Sequence, residues 1–209
     1  MDCRYLSQGE IEALRDGVRQ YSPQSINSLH EEVMRLGKLI NDLHELSMSD
    51  AGALNYKFEH TDLARLLADE VQRFSSQATQ QNLRLELQLP TEHLPLVSLD
   101  QLRISQLINN LIENSLRYTD AGGRVVVSLF ADNKSITLTV ADSAPSVSVQ
   151  DCAKLFDRLY RVNSSRSRSS GGSGLGLAIV KNIANAHRGK VTATPSELGG
   201  LAITVELPR

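Results

Sequence analysis

The chain has 209 residues, 41% of them hydrophobic and 22% charged, the balance of a folded globular protein; a disordered or collagen-like chain is excluded. A formal net charge of −2 gives no overall electrostatic case for binding nucleic acid. Cys3 and Cys152 make neither a disulfide framework nor a zinc site and fit a reducing, cytoplasmic setting. No apolar run approaches the ~18 residues of a membrane span, and the start, Met1 to Tyr5, lacks the basic-then-apolar form of a signal peptide.

Residues 1 to about 50 read as helical. Ile26, Leu29, Val33, Leu36, Ile40 and Leu43 step alternately by three and four, a heptad seam that Met34, Leu39 and Leu46 widen. Ser22 or Ser25 is placed to cap it, with Pro23 in the first turn. A shorter stripe, Ile11, Leu14 and Val18, precedes it, with breakers at Asp16-Gly17 and Tyr21-Ser22-Pro23. The pattern suggests a helical hairpin with a truncated first arm. Its seam either packs on a neighbouring domain or forms half of a four-helix bundle made by dimerisation; the length of the seam favours the second.

The small, polar run from Ser47 to Gly52 marks a boundary, giving domains 1–50 and 51–209. Beyond it Leu54 to Phe58 alternates like a strand, and Thr61-Asp62 caps a helix with Leu63, Leu66, Leu67 and Val71 on one face. Leu83 to Leu89 alternates as a strand, and Val97 belongs to a short one. A helix starting at Asp100 runs to about Tyr118. Strands at 125–130 and 136–140 are joined by Asp132-Asn133-Lys134, a hairpin. A short helix is expected at 150–158, a polar loop at 162–173, a helix from Gly174 to His187, and closing strands at 190–194 and 201–207. The mixture and its hairpins predict an α+β fold, a mixed sheet with helices on one face.

Two segments carry chemistry. In Gly171-Gly172-Ser173-Gly174-Leu175-Gly176-Leu177, glycines permit close backbone approach to an anion, and the helix that follows offers free N–H groups. No Gly-x-x-x-x-Gly-Lys-Ser/Thr is present, and the polar run before the glycines is not the buried strand of a dinucleotide fold. Arg161, Arg166 and Arg168 strengthen the anion reading; the bland alternative is a solvated basic loop ending in a glycine helix entry. In the second segment Asn110, Asn114 and Arg117 lie at i, i+4 and i+7, on one helical face. Their amide oxygens suit Mg²⁺, Arg117 suits phosphate, and Tyr118 could stack on a base. The alternative is a polar face in water.

Together these segments resemble a family. Asn110-Leu-Ile-Glu113-Asn114-Ser-Leu-Arg117-Tyr118-Thr resembles the N box of the sensor histidine kinases of two-component systems. Asp142-Ser-Ala144-Pro-Ser146 stands where their first glycine box lies, Leu155-Phe-Asp-Arg-Leu-Tyr-Arg161 resembles the F box, and Gly172-Ser-Gly174-Leu-Gly176-Leu the second glycine box. The four occur in family order within residues 54–209. The resemblance implies a Bergerat-type ATP-binding α/β sandwich. Asn114 would ligate Mg²⁺, with Asn110 beside it as a second candidate. Arg117 would approach phosphate, Tyr118 would stack near adenine, and Asp142 would accept from the adenine amino group. Ala144, Arg161 and the turn Gly172, Ser173, Gly174, Leu175, Gly176 and Leu177 would complete the nucleotide contacts, and residues 156–173 would act as a lid. Glu113 would help remove the proton of an attacking imidazole, or it is an outward carboxylate. Hydrolytic relatives carry a Glu four residues before the metal Asn; Asn110 stands there here, which favours transfer over hydrolysis.

The resemblance also implies partners: ATP, the acceptor hairpin of a full-length kinase, a response-regulator receiver domain, and a second copy in a homodimer. The longer parent would sit in the inner membrane with this part facing the cytoplasm. The family's acceptor His, followed by an acid and Arg-Thr-Pro, has no counterpart. His30 and His44 lie on the second arm, and His60, His93 and His187 in the other domain, so 1–50 reads as a partial hairpin and the chain as a C-terminal fragment. Ser146 replaces a glycine, at a cost of about 1 kcal/mol if positive φ is needed there. The rivals to an ATP:protein-histidine phosphotransferase are a non-catalytic nucleotide-binding or dimerisation module and a hydrolytic ATPase of the same fold.

Overall fold

The structure, a computed structural model, describes residues 22–91, 94–143, 145–162 and 173–209. The first arm of the expected hairpin lies outside the described residues. The chain divides into two compact units between Glu45 and Leu46.

Helix α1 (Pro23–Asp50) begins the described chain. Ser22 and Ser25 cap it reciprocally, each hydroxyl accepting from the other's backbone N–H at 3.1 Å. Pro23 occupies the first turn, where no intrahelical N–H bond is lost. On the first unit's part of the helix, Ile26, Val33, Leu36, Ile40 and Leu43 are exposed. The last turn belongs to the second unit, where Leu46 is buried and the Ser49 hydroxyl accepts from Asn182 Nδ2 at 3.1 Å.

The second unit continues with β1 (Glu59–Thr61), α2 (Leu63–Gln80), β2 (Arg84–Gln88), β3 (Val97–Leu99), α3 (Gln101–Tyr118), β4 (Arg124–Ala131), β5 (Ser135–Asp142), α4 (Val149–Cys152), α5 (Gly176–Ala186), β6 (Lys190–Pro195) and β7 (Leu201–Pro208). Five strands form a mixed sheet in the order β2-β4-β5-β7-β6, and β1 pairs with β3 in a separate two-stranded sheet. β2 runs parallel to β4, in register Arg84 to Arg124; the other neighbours are antiparallel. Burial alternates strictly along β5: Ile136, Leu138 and Val140 turn inward, while Ser135, Thr137 and Thr139 are half-exposed. That is the signature of a sheet covered on one face, and α2, α3 and α5 supply the cover. The edge strands carry Arg84, Glu86, Lys190 and Pro195, residues that discourage further strand pairing.

Two sequence expectations shift. Leu54 to Phe58 is not a strand; the ladder forms one step later, at Glu59–Thr61. The alternation there reflects Tyr56 and Phe58 turning their rings onto His187, at centroid distances of 5.6 and 5.1 Å. The helix expected over 150–158 is helical only through Cys152, and the chain then turns to Leu159, which adopts φ +62.

Candidate functional site

Helices α3 and α5 run antiparallel, and their far ends are tied by one buried network. Asp100 caps α3: Oδ1 accepts from Arg103 N–H at 3.1 Å and Oδ2 from Lys57 N–H at 2.8 Å. The Asp100 N–H donates to His187 Nε2 at 3.0 Å, and His187 Nδ1 lies 2.8 Å from the Ile183 carbonyl at the end of α5. That pairing fixes the neutral tautomer with the proton on Nδ1. Burial pushes the His187 imidazole below its ordinary value, opposed by the Ile183 carbonyl and Asp100.

The other end of the pair brings Asn110 to Gly176 and Asp142 to α3. Asn110 lies against the start of α5: a Cβ built on Gly176 would stand 3.4 Å from Asn110 Oδ1. One turn further along α3, Ser115 Oγ donates to Asp142 Oδ2 at 2.8 Å. Asp142 Oδ1 accepts from the Leu201 N–H, also at 2.8 Å, so the carboxylate is held between α3 and β7. The second half of α3 thus touches both the acid that ends β5 and the glycine that opens α5. Asn110 and Asn114 are half-buried, and Arg117 and Tyr118 are exposed in the last turn. Glu113 is half-buried and sits about 100° around the helix from Asn114.

The glycine turn has its own logic. Gly174 adopts φ +71, and a Cβ there would meet Leu159 Cα and C at 3.0 Å. Only glycine fits this conformation and this approach. Leu159 N–H donates to the Gly174 carbonyl at 2.9 Å, so the two ends of the segment between them are joined. The helix starts at Gly176, two residues later than Gly174, because the positive φ lies outside the helical region. Leu175 N–H bonds Ser173 Oγ at 3.2 Å, and no side chain among the described residues caps α5. Its first-turn N–H groups carry a partial positive charge. Leu175 is buried and Leu177 half-buried.

At the F-box segment, Tyr160 and Ser148 donate their hydroxyls to Asp151, holding its carboxyl below the usual range and pushing the Tyr160 phenol up. Arg158 pairs with Asp50, and Arg161 is half-buried. Ala144, Gly171, Gly172, Arg166, Arg168 and His93 lie outside the described residues. Ser146 is not among the described residues with positive φ, so the strain that glycine would have relieved does not arise. His30, His44 and His60 are exposed. No motif announces Ser115, although a hydroxyl set among Leu111, Ile112 and Leu116 on a buried face demands a partner.

Mg²⁺ keeps several waters and takes few protein ligands, mostly oxygens. Among the described residues no group of three His, Cys, Asp or Glu could hold a metal. The amide oxygens of Asn114 and Asn110 on one face suit an ion held mainly by phosphate oxygens and water.

Residues 99–209 match the histidine kinase-, DNA gyrase B- and HSP90-like ATPase family, and the chain belongs to it. It carries the ATP-binding catalytic domain of a sensor histidine kinase. It is 50% identical over 200 residues to the signal transduction histidine-protein kinase BaeS of Escherichia coli K12, covering 96% of this chain and 42% of BaeS. The histidine kinase AdeS of Acinetobacter baumannii superposes with a TM-score of 0.82 at 25% identity, over 98% of this chain and 94% of that one. The full-length kinase ShkA, solved with AMPPNP, gives 0.76 at 26% identity, over 91% and 40%. The chain spans about two fifths of BaeS. No described helix is long and apolar enough to cross a membrane.

Proposed function

We propose that the chain transfers the γ-phosphoryl group of MgATP to a histidine on a dimerisation hairpin, for relay to an aspartate of a response regulator. Asp142 accepts from the adenine amino group and Tyr118 stacks beside the base. Asn114 holds the metal with Asn110 beside it, and Arg117 and Arg161 face phosphate. The Gly172 to Leu177 turn cradles the phosphates on backbone N–H groups, and Ala144 adds to the nucleotide contacts. When bound, Mg²⁺ neutralises charge on the phosphate oxygens. The bond between the γ-phosphorus and its bridging oxygen breaks, a nitrogen–phosphorus bond forms, and ADP leaves. Glu113, beside the metal amide, takes the imidazole proton. Asn110 lies against Gly176 where hydrolytic relatives place a carboxylate, so water has no base there.

The observation that carries this reading is the contact of one helix, α3, with both Asp142 and Gly176. The nucleotide complex of ShkA is consistent with it. Residues 1–50 act as part of the dimerisation hairpin, with the seam from Ile26 to Leu43 covered by a second copy, and residues 51–209 as the catalytic domain. The longer parent is anchored in a membrane with this part in the cytoplasm. None of His30, His44, His60, His93 or His187 is the acceptor.

The test is a MgATP titration with Asn114→Ala and Asp142→Ala, followed by transfer to an intact acceptor hairpin. Both variants are expected to lose most binding, and the parent to label the hairpin but not itself. Unimpaired binding by both variants removes the site assignment. Binding without transfer by the parent favours a non-catalytic nucleotide module, and steady phosphate release at this site favours a hydrolase.

A further inference from the structure

We infer that Ser115 is a positioning residue that sets purine selectivity by holding Asp142 as an acceptor-only carboxylate. The inference rests on the proposed pairing of Asp142 with the 6-amino group of adenine. Ser115 and Asp142 are each 2% exposed, so their bond is made away from bulk solvent. A buried helical serine usually returns its hydroxyl to the carbonyl one turn back. Here the hydroxyl is spent on Asp142 Oδ2 at 2.8 Å. The Leu201 N–H, which can only donate, takes Oδ1 at 2.8 Å. The two donors stand on different elements, α3 and β7, and fix the plane of the carboxylate.

An ionised carboxylate offers about four lone-pair positions and no proton. Ser115 and Leu201 fill one position on each oxygen. A position offered to a base can receive only an N–H or O–H, so an amino purine is accepted and a 6-oxo purine, which presents another acceptor, is refused. Thr119 adds to the arrangement by donating its hydroxyl to the Ser115 carbonyl at 2.6 Å, anchoring the end of α3 beside the acid. Without the Ser115 hydroxyl, the buried carboxylate loses a donor. It is then free to rotate off the line that the 6-amino group needs, so discrimination falls.

Equilibrium binding of MgATP and MgITP to the intact chain tests this, comparing the parent with Ser115→Ala, Ser115→Thr, Ser115→Cys and Asp142→Asn. In Ser115→Ala, ATP is expected to bind about tenfold more weakly while ITP changes little, so the ATP-to-ITP ratio falls by a similar factor. Threonine, which keeps the hydroxyl, should restore the ratio. Cysteine, a weak donor of similar volume, should fall between, and it keeps the test open if alanine unfolds the chain. Equal weakening of both nucleotides, or an unchanged ratio in alanine and cysteine alike, overturns the role of Ser115. Asp142→Asn separates the two layers: if it retains the parent's preference for ATP, the reading of Asp142 fails and this inference with it. If Asp142→Asn loses the preference while Ser115→Ala keeps it, only the role of Ser115 fails.

Discussion

Helices α1 and α3 carry the same kind of pattern and meet opposite fates. Both place apolar residues at steps of three and four. On α3, Ile104, Leu107, Ile108, Leu111 and Ile112 are wholly buried; on α1, Ile40 remains 68% exposed and Val33 64%. The difference lies in what surrounds each helix. The α3 stripe faces a sheet and two neighbouring helices of the same unit, whereas the α1 stripe, over the described residues before Leu46, has no such layer. Periodicity therefore specifies a face, and its cover is decided by the rest of the chain or by another molecule.

Leu111→Ala should break the α3 side of that contrast most severely, costing about 2–5 kcal/mol through lost burial and a residual cavity; thermal unfolding of the second unit reads it. Leu36→Ala, the matching change on α1, should move the same transition by less than about 0.5 kcal/mol. Its effect should appear instead in self-association, and Ile40→Glu should shift sedimentation toward the monomer further still. A seam that tolerates glutamate with no change in association state would deny α1 a second copy as its cover.

Gly174→Ala comes next. The added Cβ meets Leu159 backbone at 3.0 Å in a left-handed conformation, at a cost of about 1–2 kcal/mol. Nucleotide affinity should fall with it, whereas alanine at Gly37, on α1, meets nothing within 4 Å and should be silent.

A smaller effect is expected from pH. The native state holds His187 below its ordinary value of 6.5, so between the two values the unfolded chain binds more protons and stability rises with pH. The contribution is complete above about 6.5 and is lost as pH falls below it. His187→Gln should flatten the acid side of a thermal-midpoint profile; an unaltered slope assigns it to other groups. Least of all, Asp50→Asn should scarcely alter the thermal midpoint, since both partners of the Arg158 pair are about half exposed and well solvated.

Legibility in the sequence followed the locality of the cause. Helix α3 from its Asp100 cap to Tyr118, the hairpin of β4 and β5, and the strands at 190–195 and 201–208 are set by local period, caps and turns, and were readable. The amide face of α3 was readable for the same reason. Contacts across long separations were not. Nothing near Tyr56 and Phe58 announces that they pack on His187, and alternation alone could not distinguish that from a ladder. The short α4 and the positive φ of Leu159 follow from the chain's return to Gly174, which no window around 150–158 contains. Asp142 and Ser115 were each visible, but their bond, spanning 27 positions, was not.

The parallel pairing of β2 with β4 bears on how the molecule assembles. The β4–β5 and β6–β7 ladders join neighbours in the chain, but Arg84 must wait for Arg124, with α3 in between. Closing that long excursion is slow compared with zipping a hairpin, so β2 should dock last and fray first. Ser115, Asp142, Leu201 and Gly176 all belong to other elements. Amide exchange should therefore find the β2 edge opening ahead of the remaining sheet, while the residues gathered around Asp142 stay in place.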